Sequence, residues 1–539
     1  MAGGHAFYSP KSKLEKEGMK HRLLSKKVLA GLLVWCILGV AGIAFGADAP
    51  KYVFYFIGDG MGPAQRQAAQ YFRKVETQNP DAGLVMDGFP QSALVTTHAD
   101  NTLITDSAAG GTALATGYKT TNAVIAKLPD GRDVKTIAEA VREKGYAVGI
   151  ATSVRISHAT PAAFSAHNMS RSMENEIAVD QVNSGFEYYA GGGYRHFVAK
   201  DNPQGLKSKR KDDRDLVAEL QEKKYTTFVG ENSRDAFRAL TPKKGEKVFA
   251  ALAYSALAYE IDRKNSPAGP NAMPSLAELT DKGIEVLAAQ EKPFFFMVEG
   301  GKIDWAAHCH DAAATIWDTL AFDDAIARAF DFYKKHPKET LIIVAADHET
   351  GGMAMGISMD SKGYFLKLAE LLKVKVSTED VLSGVYPKLY KEHQDKAVRQ
   401  GLYLEYLAEN FGLTDLTPGE RDMLVQAMET EDKNQTLPSA EQTTYGYAYS
   451  PTMIAVGHLV SYRARLNWTS YVHTASLVSL SAMGPGAEEF SGFMDNTGIP
   501  KALAKIIGVK LSDFPATASK AMLGETVGPV KKYVKVPYL

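Results

Sequence analysis

Five short, nearly unbroken apolar runs constrain this chain more than any other feature: Tyr52–Ile57, Tyr146–Ala151, Phe294–Val298, Leu341–Ala345 and Leu477–Leu480. Runs of this length, bounded by polar and glycine-rich segments, read as strands buried on both faces, as in a parallel sheet. Helical patterns lie between them, such as Val134–Lys144 closed by Gly145, and Thr315–Lys335. The alternation predicts an α/β fold with a doubly wound, mostly parallel sheet. Four of the runs lead into residues of the types that serve as ligands: Gly58-Asp59-Gly60, Ser157-His158-Ala159-Thr160, Glu299-Gly300-Gly301 and Asp347-His348. In open parallel sheets the crevice lies beyond the carboxyl ends of the strands, so these distant segments are expected to meet in one site.

Residues 1–47 stand apart. Lys20, Arg22, Lys26 and Lys27 precede an apolar run from Val28 to Phe45 that ends at small residues, a secretory signal with cleavage expected near Gly46 and Ala47. Retention as an anchor is the competing reading, and Met19 is a candidate start. Without this segment the chain keeps 54 basic and 60 acidic residues, and no basic stripe of the kind that nucleic acid requires. Cys36 falls within the signal, which leaves Cys309 and excludes an internal disulfide in the mature chain. The rest, 48–539, is expected to form one domain. Roughly 355–465 would be a largely helical insertion, with helical patterns at Gly363–Lys373 and Leu402–Leu413 and a polar stretch at Glu429–Thr443.

Ser107, in Thr105-Asp106-Ser107-Ala108-Ala109-Gly110-Gly111, opens a helix of small residues whose N-terminal amides favour an anion. Taken alone, an Asp-Ser pair there is a helix cap. Asp304 and His308 stand four residues apart and therefore share one helix face, as metal ligands do. Glu299 leaves a buried strand just upstream, and Asp347-His348 delivers a second carboxylate and imidazole. Buried charges of this kind need a partner or a metal.

These segments, in this order, resemble the alkaline phosphatase family across most of 51–500. Thr-Asp-Ser107-Ala-Ala with Thr116-Gly117-Tyr118-Lys119-Thr120 resembles the family's nucleophile segment, and Ala159-Thr160-Pro161-Ala162-Ala163 resembles its metal-binding turn. The sulfatase pattern is absent, because Ser107 is followed by Ala-Ala-Gly-Gly. The resemblance implies hydrolysis of phosphate monoesters through a phosphoserine on Ser107. It implies one zinc on Asp304, His308 and His473, a second on Asp59, Asp347 and His348, and a third metal, magnesium in the family, shared by Asp59, Thr160 and Glu299. Arg171 matches the family's phosphate clamp, and a homodimer is the common assembly. Two departures stand out: His158 replaces the usual Asp and Trp305 the usual Lys. They point to a third site open to zinc or cobalt as well as magnesium, and to looser phosphate binding. The competing readings are a phosphodiesterase on the same fold, which would need no residue like Arg171, and an inactive, metal-stabilised binding protein of the envelope. Cys309 and His310 fall off the helical face of His308 and are expected either to pack or to support the ligands from behind.

Overall fold

The computed structural model describes residues 49–357 and 364–515, so the predicted signal at 1–47 lies outside the described residues. Eight strands are labelled here in chain order: β1 (Tyr52–Ile57), β2 (Gln91–Thr96), β3 (Ala147–Arg155), β4 (Tyr188–Gly192), β5 (Tyr225–Val229), β6 (Lys247–Ala251), β7 (Phe294–Glu299) and β8 (Thr340–Ala345). With Val478–Met483 and Gly492–Asp495 they form a ten-stranded sheet. Its order is Gly492–Asp495, β2, Val478–Met483, β8, β1, β7, β3, β4, β6, β5.

The sheet is parallel from β8 through β5, as the apolar runs predict. Val478–Met483 departs from that expectation, running antiparallel to both β8 and β2. A strand buried on both faces has the same apolar pattern in either direction, so the run alone could not reveal this. Each residue of β7 and β8 is buried, and helices such as Leu276–Ala288 and Ala312–Lys335 contribute buried side chains to the same core.

The helix expected over Val134–Lys144 is shorter, Ile137–Glu143, because Thr136 and Glu139 close a capping box at its start. Between Met355 and Leu466 the chain leaves and returns at a two-residue antiparallel ladder, Ala354 opposite Asn467 and Met355 opposite Leu466. Helices Val385–Glu392, Lys396–Phe411, Pro418–Asn434 and Pro451–Arg463 lie in this excursion. The described part of Gly363–Lys373 forms a 3-10 helix over Leu368–Lys373 only, and the polar stretch begins inside the helix that ends at Asn434. Among the described residues no helix is long and apolar enough to cross a membrane.

The register of the central strands positions the site. Ile57 pairs with both Glu299 and Ala345, so β8, β1 and β7 end along one line, while β3 passes it at Thr152, opposite Glu299, and continues to Arg155. Whatever follows Ile57, Glu299 and Ala345 emerges on the same edge.

Candidate active site

Asp59, Glu299, Asp347 and His348 emerge along that edge, all fully buried. Gly60 makes the turn after β1 possible. Its φ is +71°, and a Cβ there would stand 2.8 Å from the Asp304 Cα and 2.8 Å from the Thr350 hydroxyl oxygen. Its N–H donates to Asp347 Oδ1 at 3.3 Å, and the His348 N–H reaches the same oxygen at 3.0 Å.

Ser107 opens the helix Ser107–Thr116, whose residues are all buried. The small side chains let it lie close to its neighbours: a Cβ on Gly110 would come within 3.1 Å of the Asp347 carbonyl oxygen, and one on Gly111 within 3.2 Å of Ala163. Asp106 caps this helix by accepting from the Ala109 N–H at 2.9 Å. The cap reading and the nucleophile reading are therefore compatible, each belonging to a different residue of the pair.

Three histidines share one arrangement. His308 Nδ1 donates to the Tyr471 carbonyl at 2.7 Å, and His473 Nδ1 to the Thr105 carbonyl at 2.8 Å. His348 Nδ1 lies 3.2 Å from the Thr350 hydroxyl, which itself donates to Asp304 Oδ1. In the neutral rings every Nε2 therefore carries a lone pair turned inward, the tautomer that a metal requires. His308 Nε2 and His473 Nε2 are 3.2 Å apart and stand 3.3 and 3.5 Å from Asp304 Oδ1. His348 Nε2 is 3.3 Å from both Asp59 Oδ1 and Asp347 Oδ2, and 3.2 Å from Ser107 Oγ. Lone pairs facing one another and facing carboxylates repel unless a cation lies between them.

The unpartnered atoms point the same way. Both oxygens of Asp59, Asp347 Oδ2, Glu299 Oε1, Thr160 Oγ1 and His158 Nδ1 are buried without a hydrogen-bond partner. Burial, compounded by Asp347, Asp304 and Glu299, pushes the Asp59 carboxyl well above the ordinary range. Burial, then Asp304 and Glu299, does the same to Asp347, and burial lifts Glu299 to about 7. For Asp304 burial is outweighed by His308 and His473, which hold it well below the usual value. Burial and then His473 depress His348, which favours the neutral, ligating ring. Three groupings bring ligand atoms within 4.8 Å of one another: Asp304, His348 and His473; Asp59, Asp347 and His348; and Asp59, His158 and Glu299. The residues present thus fit bound cations.

Arg171 borders the same space. Its Nη1 donates to Asp106 Oδ2 at 3.0 Å and its Nη2 lies 3.1 Å from His158 Nε2. Burial and then Arg171 depress the His158 pKa well below the ordinary value. His158 and Trp305, distant in sequence, meet edge to face with ring centroids 5.8 Å apart. Thr160 follows His158 in the short helix Ala159–Ala163.

Several supporting residues escaped sequence reasoning. Thr350 links His348 to Asp304, and its only sequence signal is its place two residues after His348. His310, expected to pack, does so in a particular way: its ring stacks on Tyr471 at 4.2 Å and its Nε2 donates to the Ser470 carbonyl at 2.7 Å. It thereby steadies the peptide that holds His308. Cys309 is a buried free thiol packed with Met453 and Ile454.

Residues 50–509 match the family model described as alkaline phosphatase. Among curated relatives, alkaline phosphatase 3 of Bacillus subtilis is 31% identical over 86% of this chain and 91% of its own. Among solved structures, the cold-active alkaline phosphatase of a psychrophilic Shewanella superposes with a TM-score of 0.68 at 27% identity, covering 85% of this chain and 99% of that one. A variant of the enzyme from the Antarctic bacterium TAB5, with a histidine changed to aspartate and Mg bound in its M3 site, superposes with a TM-score of 0.58 at 26% identity over 86% and 99% of the two chains.

Proposed function

The chain belongs to the alkaline phosphatase family, and on that premise we propose that it hydrolyses phosphate monoesters through a phosphoserine on Ser107. The observation that carries this reading is the placement of Ser107 Oγ 3.2 Å from His348 Nε2, beside carboxylates and imidazoles whose lone pairs converge. A binding protein has no use for a hydroxyl so placed at a helix N-terminus.

Asp304, His308 and His473 would hold one zinc; Asp59, Asp347 and His348 a second; and Asp59, Thr160 and Glu299, with His158, a third ion. Bound there, these ions would lower the pKa of the nucleophile and offset charge on the attacking and leaving oxygens. Arg171, steadied by Asp106, grips two nonbridging oxygens of the substrate, and the amides that open helix Ser107–Thr116 face the same charge. Attack by Ser107 Oγ forms the Oγ–P bond as the bond to the ester oxygen breaks. Water then attacks the phosphoserine, releasing inorganic phosphate and restoring the hydroxyl.

We propose further that residues 1–47 direct export to the periplasm or medium, that 355–465 is an insertion into a single domain at 48–539, and that the enzyme is a homodimer. Lys20, Arg22, Lys26 and Lys27 before the apolar run support the first, and the ladder joining Met355 to Leu466 supports the second. The test of function is turnover of a phosphate monoester and a diester by the purified protein, with and without a chelator, alongside metal analysis. Chelator-sensitive preference for the monoester is expected. Preference for the diester would favour the phosphodiesterase, and inactivity at full metal loading the binding protein.

A further inference from the structure

In-line displacement at phosphorus sends the leaving oxygen away from the attacking one. Ser107 Oγ lies in the corner formed by His348, Asp59 and Asp347. On the ligand assignment proposed above, the departing alcohol leaves toward the ion that Asp304, His308 and His473 would hold. Tyr447 stands beside His308, the two rings perpendicular with centroids 4.7 Å apart and planes at 85°, while 62% of the residue remains exposed.

The turn that carries Tyr447 is firmly built. Tyr445 and Tyr449 exchange backbone hydrogen bonds at 3.0 and 2.8 Å, and Gly446 and Ala448 take positive φ of 49° and 76°. Tyr445 packs on Tyr471, with ring centroids 5.8 Å apart, and Tyr471 also supplies the carbonyl that orients His308. The turn presents Tyr447 to solvent at a fixed distance from the site. Val472, 38% exposed and next to His473, extends the apolar border. An aromatic ring kept at the mouth of a charged site leaves apolar surface wet, a cost recovered when an apolar group covers it.

We infer that Tyr447 is a specificity contact for the leaving group, favouring phosphate esters of aromatic alcohols over those of small hydrophilic ones. The inference rests on the phosphatase reading above. The metal-loaded enzyme and its Tyr447→Ala and Tyr447→Phe variants would be compared on phenyl phosphate and glycerol phosphate. Phenylphosphonate and methylphosphonate serve as competing ligands that need no turnover. Tyr447→Ala is expected to lower the phenyl-to-glycerol ratio of kcat/KM about two- to tenfold, the range of one aromatic contact. The phosphonate affinity ratio should fall by a similar factor, and Tyr447→Phe should retain both. Equal changes on the two esters, which is what mere shielding of His308 would give, overturn the inference while the phosphatase reading stands. Wild type inert toward both esters at full metal loading overturns the reading and the inference together.

Discussion

Arg171 and Asp106 are joined by a hydrogen-bonded ion pair, Nη1 to Oδ2 at 3.0 Å, which fastens the proposed phosphate clamp to the residue before the proposed nucleophile. Asp106 also accepts from the Ala123 N–H at 3.0 Å, so the carboxylate is itself fixed. Arg171→Ala is therefore expected to lower monoester kcat/KM by about ten- to a hundredfold, as for the loss of a charge-assisted contact of ~1.5–3 kcal/mol. Inhibition by inorganic phosphate should weaken in parallel, and diester hydrolysis should suffer less, because a diester offers one fewer charged oxygen. Equal losses on both esters would remove Arg171 from the clamp role.

Ser107→Ala should abolish the phosphoenzyme and most turnover while metal content stays near that of wild type. Labelling with radioactive phosphate at acidic pH reads this directly. Label retained by the variant would mean that another residue is the nucleophile.

His158→Asp should raise activation by magnesium, since an all-oxygen site suits that ion better than one containing an imidazole. Trp305→Lys should tighten phosphate inhibition by adding a cation. The two rings touch, with centroids 5.8 Å apart, so the double variant is expected to depart from additivity. Metal analysis by mass spectrometry with magnesium, zinc and cobalt titrations checks the first effect, and unchanged magnesium affinity and activation in His158→Asp would reduce His158 to a turn residue.

Metal removal should destabilise the fold, and Asp59→Asn should reverse sign with it. Burial and neighbouring carboxylates raise the Asp59 pKa in the metal-free fold, so that fold loses stability as pH climbs above the unfolded value of 3.8. At neutral pH, Asp59→Asn is expected to be less stable than wild type with metals and more stable by about 1–3 kcal/mol in chelator. Thermal unfolding in the two conditions measures the crossing; a variant weaker in both would show that the carboxylates are not strained without cations.

His167 and Glu139, which belong to none of the candidate metal groupings, form a pair, Nε2 to Oε1 at 2.9 Å. Burial opposes the charge of each, but their mutual attraction wins, raising the His167 pKa above 6.5 and lowering that of Glu139 below 4.5. The contribution of His167 is complete below pH 6.5 and fades as pH rises through its folded value. That of Glu139 is complete above pH 4.5 and fades as pH falls through its own. His167→Asn should thus cost most between these two values and clearly less near pH 9, as read from urea unfolding at each pH. A cost independent of pH would leave only the hydrogen bonds.

The fold was legible because its central runs, being apolar on both faces, announce a parallel sheet, and the meeting of Asp59, Glu299, Asp347 and His348 was legible because each lies at or just past the end of such a run. The direction of Val478–Met483 was not legible, since burial on both faces looks alike in either orientation. Thr350, the hold of Asp106 on Arg171 and the stack of His310 on Tyr471 were hidden for another reason. A hydroxyl, a capping carboxylate and a histidine beside a cysteine are common residues whose roles appear only when distant partners meet them. Tyr447 lies just past the polar stretch at Glu429–Thr443, where no periodicity marks a ring held beside His308.

The pairing of β1 has a consequence for how the chain is made. Tyr52–Ile57, entirely apolar or aromatic, finds its neighbours only at Phe294–Glu299 and Thr340–Ala345. As the chain leaves the ribosome, this strand has no native partner until residue 299 has emerged, and only one until residue 345 follows. Local helices can form in that interval, but the sheet cannot nucleate around its own centre. Until residue 345 has emerged an aggregation-prone strand stays exposed, so productive yield should depend on a holding chaperone rather than on the speed of any local step.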